Sequence, residues 1–124
     1  MRYIVLFLAG CGTIDITYDT TPCENVDLGS EADIFAERDG EDVHIYRMPV
    51  FVGDTSVFVP ELSFDGTRIF VRERWVEPEP PTAELCLTPT VQLIQPPERS
   101  FTIEWYLGDS VIPDYVVPVD VKSL

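Results

Sequence analysis

The stretch Phe101-Thr102-Ile103-Glu104-Trp105-Tyr106-Leu107 alternates apolar and polar side chains with a period of two. Successive side chains of a β-strand point to opposite faces, so Phe101, Ile103, Trp105 and Leu107 share one face. A strand with one apolar face is typical of a sheet that covers a core. This stretch therefore predicts a half-buried strand, and it sets the fold class for the rest of the chain.

The same period recurs at both ends of the chain. The alternating apolar positions are Ile14, Ile16 and Tyr18 near the beginning and Tyr115, Val117, Val119 and Val121 near the end. The 124 residues include 11 prolines and 7 glycines, a composition rich in turns. A chain of this length makes one domain. We expect an all-β protein, an antiparallel β-sandwich of seven to nine short strands, immunoglobulin-like in general architecture.

Two Asp-Gly pairs predict tight hairpins, because Asp-Gly tolerates the positive φ angles of two-residue turns. Asp39-Gly40 is the first pair, and it has an alternative. Ser30 and Asp33 resemble a capping box, so Glu31 to Arg38 would then be a short helix, although we favour a strand. Asp65-Gly66 is the second pair.

A two-residue turn at Asp65-Gly66 sets Ser63 opposite Arg68 and Glu61 opposite Phe70. Glu61 is then diagonal to both Arg68 and Arg72, which favours cross-strand ion pairs. The alternative role of this strand is recognition of a partner, because arginine and tryptophan are favoured contact residues. The residues of this candidate recognition patch are Arg68, Arg72, Arg74 and Trp75.

The prolines of Glu77-Pro78-Glu79-Pro80-Pro81 exclude a helix or a central strand. We expect a stiff surface connection between two halves of one domain. Two separate strands, Glu84 to Thr88 and Val91 to Gln95, are predicted behind it.

The charge of the chain argues against nucleic acid as a partner. There are 22 acidic and 8 basic residues, a formal net charge of −14. Phosphate binding needs lysine and arginine, which are scarce here. The same scarcity argues against adsorption to anionic lipid through a basic patch.

Motifs for catalysis or cofactor binding are missing from the sequence. His44 is the single histidine, on the same face of its predicted strand as Tyr46, which favours a structural role. Gly108-Asp109-Ser110 is similar to a tripeptide of one hydrolase family, but its position between two predicted strands favours a turn. We expect no enzyme, no cofactor and no small-molecule substrate.

Calcium is the one metal that the composition suggests. Asp39, Glu41 and Asp42 crowd the first predicted turn, and calcium takes hard oxygen ligands from loops. Zinc would need further ligands beyond the cysteines present.

The first twelve residues follow the order of a secretory signal. Arg2 is followed by an apolar run from Tyr3 to Ala9 and then by small residues. The run is too short to span a bilayer. Two structures remain open for it: a leader that is removed, or a buried N-terminal strand.

Leu8-Ala9-Gly10-Cys11 resembles the lipobox of bacterial lipoproteins. The resemblance implies cleavage between Gly10 and Cys11, lipidation of Cys11, a leader of residues 1–10 and a domain of residues 11–124. The leader is short for that family and has a single basic residue. Gly12 is not the aspartate of inner-membrane retention, so the resemblance favours an outer-membrane address.

Lipidation of Cys11 would leave Cys23 and Cys86 as an even pair. An oxidising compartment would let them join, and the bond would stabilise the fold by roughly 4 kcal/mol. Two free thiols are the alternative.

These observations predict a small acidic envelope lipoprotein, anchored to the membrane by lipid, that acts as a non-enzymatic binding or structural module. The expected partner is another envelope protein. Two alternatives stay open: an inhibitor or exclusion factor that blocks an enzyme or receptor, and a calcium-dependent adhesion module.

Overall fold

A computed structural model describes residues 3–9, 12–23 and 34–124, and their regular secondary structure is almost entirely β-strand. The strands are β1 (Tyr3–Ala9), β2 (Gly12–Pro22), β3 (Ile34–Asp39), β4 (Asp42–Arg47), β5 (Val50–Gly53), β6 (Val57–Phe58), β7 (Glu61–Phe64), β8 (Arg68–Glu73), β9 (Trp75–Val76), β10 (Glu84–Ile94), β11 (Ser100–Leu107) and β12 (Tyr115–Asp120). A short 3₁₀ helix, Val121–Ser123, follows β12. Among these residues, no helix has the length and apolar character needed to cross a bilayer.

The strands form two main sheets, and the predicted all-β sandwich is confirmed. The larger sheet has the order β1-β2-β10-β4-β3, with β5 also paired to β10. The smaller sheet has the order β12-β11-β8-β7, and β6 and β9 form a separate two-stranded ribbon. The pairing is antiparallel except between β8 and β11, which run parallel. The described strands exceed the predicted seven to nine, because two-residue strands such as β6 and β9 are too short to show a period.

The core lies between the two sheets, on the faces that the alternation predicts. Phe101, Ile103 and Trp105 of β11 are buried, and so are Ile14 and Ile16 of β2. The β-branched and aromatic side chains at these positions pack well on a pleated surface, which is why the segments form strands. Other members of the cluster come from both sheets and include Ile69 and Val71 of β8, Val91 and Leu93 of β10, Val43 and Ile45 of β4 and Val119 of β12.

β10 is one long strand, not the two strands that the sequence predicts. It continues through Pro89, which pairs with Thr20 of β2. On its other edge, β10 pairs with β5 up to Leu87 and with β4 from Thr90 onward. Pro89 lies at this break between the β5 and β4 pairings, so the missing N–H of proline interrupts neither of these two ladders.

The first Asp-Gly pair forms a hairpin, and the segment before it is a strand from Ile34 onward. Residues 31–33 lie outside the described residues. Asp39 pairs with Asp42, so the two turn residues are Gly40 and Glu41. Gly40 has a φ of +64°, which glycine adopts without strain.

The second hairpin has a longer loop than predicted. Phe64 pairs with Ile69, and the Asp65 carboxylate accepts a hydrogen bond from the Arg68 amide at 3.0 Å. This side-chain bond stabilises a wider turn than Asp-Gly alone would form. The predicted register is therefore wrong by two residues: Glu61 lies directly opposite Arg72.

The proline-rich connection is exposed, as predicted, and is fastened to the loop after β5. Thr55 donates a hydrogen bond to the Glu79 carbonyl at 2.6 Å. The Asp54 carboxylate accepts bonds from the Thr82 hydroxyl and amide at 2.7 and 3.0 Å. These bonds hold the pKa of Asp54 below its usual value.

Cys23 and Cys86 form a disulfide with a Cα–Cα distance of 5.5 Å. Their separation in sequence is 63 residues. The bond joins the residue after β2 to the first half of β10. The predicted pairing of these two cysteines is thus present in the structure.

The two ends of the sandwich are distinct, and we name them by residues that lie there. At the Gly12 end, β2 begins, and Arg38 donates to the Leu124 carbonyl at 3.1 Å across the two sheets. At the Gly108 end, β8 and β11 finish, and Arg47 and Glu73 join the two sheets with an N–O distance of 2.9 Å. The strands therefore separate the start of β2 from the loop that follows β11.

Candidate functional site

The loop of residues 108–114 connects β11 to β12 at the Gly108 end. Gly108 has a φ of +57°, and the Ser110 amide donates to the Leu107 carbonyl at 3.2 Å. Gly108-Asp109-Ser110 is thus a turn, as the sequence predicts.

Two adjacent apolar residues stand out from this loop. Val111 is 91% exposed and Ile112 is 72% exposed. Val116 at the start of β12 is also exposed. Single exposed apolar residues are common on proteins, but a contiguous patch marks a contact surface.

The loop is held in place by hydrogen bonds at its base. Arg72 donates to the carbonyls of Gly108 and Ser110 at 2.7 and 2.8 Å. The Asp114 carboxylate accepts from the Leu107 amide at 2.7 Å, and the Asp114 amide donates to the Trp105 carbonyl at 2.9 Å. The exposed apolar tip therefore projects from a fixed base.

An ion pair adds a further link between β8 and the loop. Arg74 lies 2.7 Å from Asp109 and 3.6 Å from Glu61. The hydrogen bond from Arg74 holds the pKa of the Asp109 carboxyl below its usual value. The same bond raises the pKa of the Arg74 guanidinium.

A cleft of about 360 Å³ lies beside this loop, on the outer face of the smaller sheet. The Arg72 guanidinium lies over the Tyr106 ring at 4.8 Å from its centroid. Residues of these types are enriched where proteins bind each other. The cleft is lined by Glu61, Leu62, Ser63, Phe70, Arg72, Tyr106 and Val111.

The predicted recognition patch is divided by the structure. Arg72 lines the cleft, and Arg74 lies beside its Glu61 wall; both guanidinium groups are 3.6 Å from the Glu61 carboxylate. Arg68 lies at the other end of β8, 3.5 Å from Glu104, so the predicted pairing of Glu61 with Arg68 is wrong because the register is shifted. Trp75 is half-buried.

Trp75 belongs to a polar cluster inside the sandwich that sequence reasoning missed. Its indole donates to one Glu73 oxygen at 3.0 Å, and the Trp105 indole donates to the other at 3.0 Å. Arg47 completes the charge pair with Glu73, and both are buried. The sequence pattern could have indicated this cluster, because the alternation in β4 and β8 places Arg47 and Glu73 on the inward faces of their strands.

Each of the three candidate calcium ligands has a protein partner, and Glu41 and Asp42 share Gln95. The Asp39 carboxylate lies 3.3 Å from His44. Glu41 accepts from the Gln95 side chain at 2.7 Å, and Asp42 accepts from the Gln95 amide at 2.9 Å. In the described ranges, no three His, Cys, Asp or Glu side chains are grouped so that they could hold a metal.

His44 lies on the outer face of the larger sheet, beside a cleft of about 180 Å³. Its Nδ1 is 3.1 Å from the Tyr46 hydroxyl, and its Nε2 faces Asp39. Burial and then the nearby Glu37 raise the pKa of Tyr46, so the phenol stays protonated. A nucleophile needs the opposite shift.

The predicted lipidation site, Gly10 and Cys11, lies outside the described residues. The segment before it forms β1, which pairs with β2 in antiparallel register from Tyr3–Tyr18 to Ala9–Gly12. The full chain therefore contains a strand here, one of the two structures that the sequence left open.

Comparison of the chain with protein-family models, with curated proteins and with solved structures found no match. The function is therefore argued from the residues themselves. A fixed apolar tip beside a cleft that holds arginine and tyrosine is suited to binding a partner protein.

Proposed function

We propose that the protein is a lipid-anchored, non-enzymatic binding module of the bacterial cell envelope, and that loop 108–114 contacts another envelope protein. The exposure of Val111 and Ile112 on a loop held by Arg72 carries this proposal. Exposed apolar side chains on a fixed base lose little conformational freedom when they bind.

The position of the loop supports a protein partner over the anchoring membrane. A lipid on Cys11 would attach the domain at the Gly12 end, because β2 begins there. β11 separates the two ends by eight residues, roughly 25 Å of extended chain. The tip would thus project away from the bilayer that holds the anchor.

The sequence supports both the lipid anchor and the choice of membrane. The lipobox-like residues Leu8 to Cys11 identify the bond to be cut and the cysteine to be modified. Two or more acyl chains are needed for stable anchoring. The residue after Cys11 favours the outer membrane.

A second candidate, an inhibitor or exclusion factor, rests on the same loop. Val111 and Ile112 are adjacent and both largely exposed, so they could enter a cleft of an enzyme or receptor. The calcium-dependent alternative has no such support, because Asp39 already lies beside His44 and both Glu41 and Asp42 accept hydrogen bonds from Gln95.

Site-specific photo-crosslinking in the intact cell tests the tip. A photo-reactive amino acid is placed at Ile112 in the full-length chain and, as a control, at exposed Glu98 near the opposite end. We expect one discrete product from position 112 and none from position 98. Equal products from both positions, or none from position 112, would contradict the proposal.

Paired variants separate the tip from general surface effects. Replacing Val111 and Ile112 with serine should abolish the product of a probe placed at Val116. The matched control replaces Val76 and Leu85, which are also exposed, and should leave that product unchanged. Loss of the crosslinked product in both variants would show that Val111 and Ile112 contribute no more to binding than other exposed apolar residues.

Metabolic labelling with palmitate tests the anchor separately. The wild-type chain should be labelled and Cys11→Ala should not. An unlabelled wild-type chain would exclude lipidation at this position.

The inhibitor alternative has its own test. Addition of the wild-type protein should reduce the activity of one enzyme, and addition of the variant with serine at positions 111 and 112 should not.

A further inference from the structure

The outer edge of β2 is covered by β1 along its first half. Seven residue pairs join the two strands, from Tyr3–Tyr18 to Ala9–Gly12. On the core face of β2, Ile14, Ile16 and Tyr18 are buried in the presence of β1. The opposite edge of β2 is held separately by β10.

β1 is also the segment that cleavage before Cys11 would remove. This step rests on the proposed function. Removal of residues 1–10 would take away the whole of β1 and leave β2 as an edge strand. An edge strand presents unpaired N–H and C=O groups, which form a template for another strand.

We propose that the β2 edge of the processed protein binds an extended, antiparallel segment of a partner protein in the place of β1. Strand addition to a sheet edge combines main-chain hydrogen bonds with pockets for alternate side chains. The β1 segment Tyr3–Ala9 is apolar throughout, so a strand that takes its place should be apolar as well.

The register of β1 defines the side chains of the segment that would bind. Tyr3, Val5 and Phe7 occupy the positions opposite Tyr18, Ile16 and Ile14. A segment with bulky apolar residues at every second position therefore fits this edge.

Charge defines the residues between those positions. Arg2 is the one charged residue among the first ten, so the processed chain has 22 acidic and 7 basic residues, a formal charge of −15. Asp15 stands at an alternate position of β2, between Ile14 and Ile16. Lysine or arginine between the apolar residues would complement this edge.

A second copy of the chain fits the edge less well than a different protein. Antiparallel pairing of two β2 strands would place their two Gly12 ends at opposite ends of the joined sheet. Both lipidated cysteines could then not reach one membrane surface while the strands stand upright on it. The geometry thus favours a partner other than the protein itself.

Peptide binding to the processed protein tests the edge. The lipidated protein is purified from envelopes in detergent, and the probe is a labelled peptide of residues 3–9 with two added lysines at each end. The control peptide carries Val5→Asp and Phe7→Asp. The full-length Cys11→Ala chain, which keeps its leader, provides the control protein.

We expect saturable binding of the probe to the processed protein and binding at least about tenfold weaker for the control peptide. Hydrogen exchange of the β2 amides should slow on binding. The full-length Cys11→Ala chain should bind neither peptide, because β1 already occupies the edge.

Two results would contradict a free β2 edge. In the first, the β2 amides of the processed protein are protected from exchange without peptide and the probe does not bind. In the second, the processed protein is a dimer whose two copies pair through β2. The proposed function fails by a different measurement. An intact mass that retains residues 1–10 in the cellular protein would show that the leader is not removed and that β1 stays in place.

Discussion

Glu73 is a charged residue at an inward position of a core strand. Two indoles and the Arg47 guanidinium surround its carboxylate. A buried ion pair adds little stability over a well-packed apolar pair, because both charges are removed from water. Removing one partner alone leaves the other charge buried without compensation, and that is costly.

We predict that Glu73→Ala lowers the free energy of unfolding by about 3–5 kcal/mol, because it leaves the Arg47 charge unpaired. Urea denaturation followed by tryptophan fluorescence measures the loss. Glu77→Ala, at an exposed carboxylate, should change stability by no more than about 0.5 kcal/mol. A loss for Glu73→Ala as small as that of the control would contradict the role of the cluster.

A second prediction concerns Asp109, whose pKa is lowered chiefly by the hydrogen bond from Arg74. Since the pKa in the folded protein lies below the unfolded value, the contact stabilises the fold above the unfolded pKa. That contribution is lost as the pH falls through the lower, folded pKa.

An NMR titration of the carboxyl carbons measures this pKa directly. Asp109 should titrate below the usual 3.8 in the wild type and move up toward that value in Arg74→Gln. Asp54, whose pKa is lowered by Thr82, should keep its low value in both proteins. An Asp109 pKa unchanged by Arg74→Gln would exclude the bond as its cause.

At the scale of elements, loop 108–114 depends on a side chain of the neighbouring strand. Arg72 holds two of its carbonyls, so Arg72→Met should release the loop while keeping most of the side-chain volume. We predict hydrogen exchange about tenfold faster at residues 108–112, with the amides of β11 unchanged. This loosening should also weaken binding of the partner.

Arg68→Met is the matched control for that experiment. Arg68 is a half-exposed arginine of the same strand, but its ion-pair partners are Asp65 and Glu104. The Arg68→Met variant should leave hydrogen exchange in loop 108–114 unchanged. Equal acceleration in both variants would indicate a general loss of stability.

The sequence predicts individual strands far better than it predicts how they pair. The alternation in β2, β11 and β12 identifies their buried faces, because that pattern is a local property of each segment. The course of β10 through Pro89 depends on where β4 and β5 end, which no local pattern records. The register after Asp65 depends on one side-chain hydrogen bond to Arg68.

The sequence predicts some parts of the candidate site and not others. The turn at Gly108 is visible in the sequence, and so are the arginines of β8. The exposure of Val111 and Ile112 is not visible, because a short apolar pair beside a proline resembles the beginning of the next strand. Only the pairing of β11 with β12 places these residues outside the sheet.

At the scale of the whole molecule, the disulfide joins two distant parts of the chain. Cys23 and Cys86 close a loop of 63 residues that includes β3 to β9. The chain-entropy account gives a stabilisation of roughly 4 kcal/mol for a loop of this size.

We predict that replacing both Cys23 and Cys86 with serine lowers the free energy of unfolding by that amount. Chemical denaturation with and without reductant measures it. Reductant should lower the stability of the wild type and leave the serine variant unchanged. If reductant does not change the free energy of unfolding of the wild type, the disulfide contributes little to stability.

The parallel pairing of β8 with β11 has a consequence for how the chain assembles. Between these neighbours the chain passes through β9, the proline-rich connection and β10, which belongs to the opposite sheet. During synthesis, which proceeds from the N-terminus, β7 and β8 therefore lack their β11 neighbour until residue 107 has followed. Non-local pairing of this kind delays folding and prolongs exposure of apolar strands. The smaller sheet is thus the part of the sandwich for which a newly made chain would most need protection from aggregation.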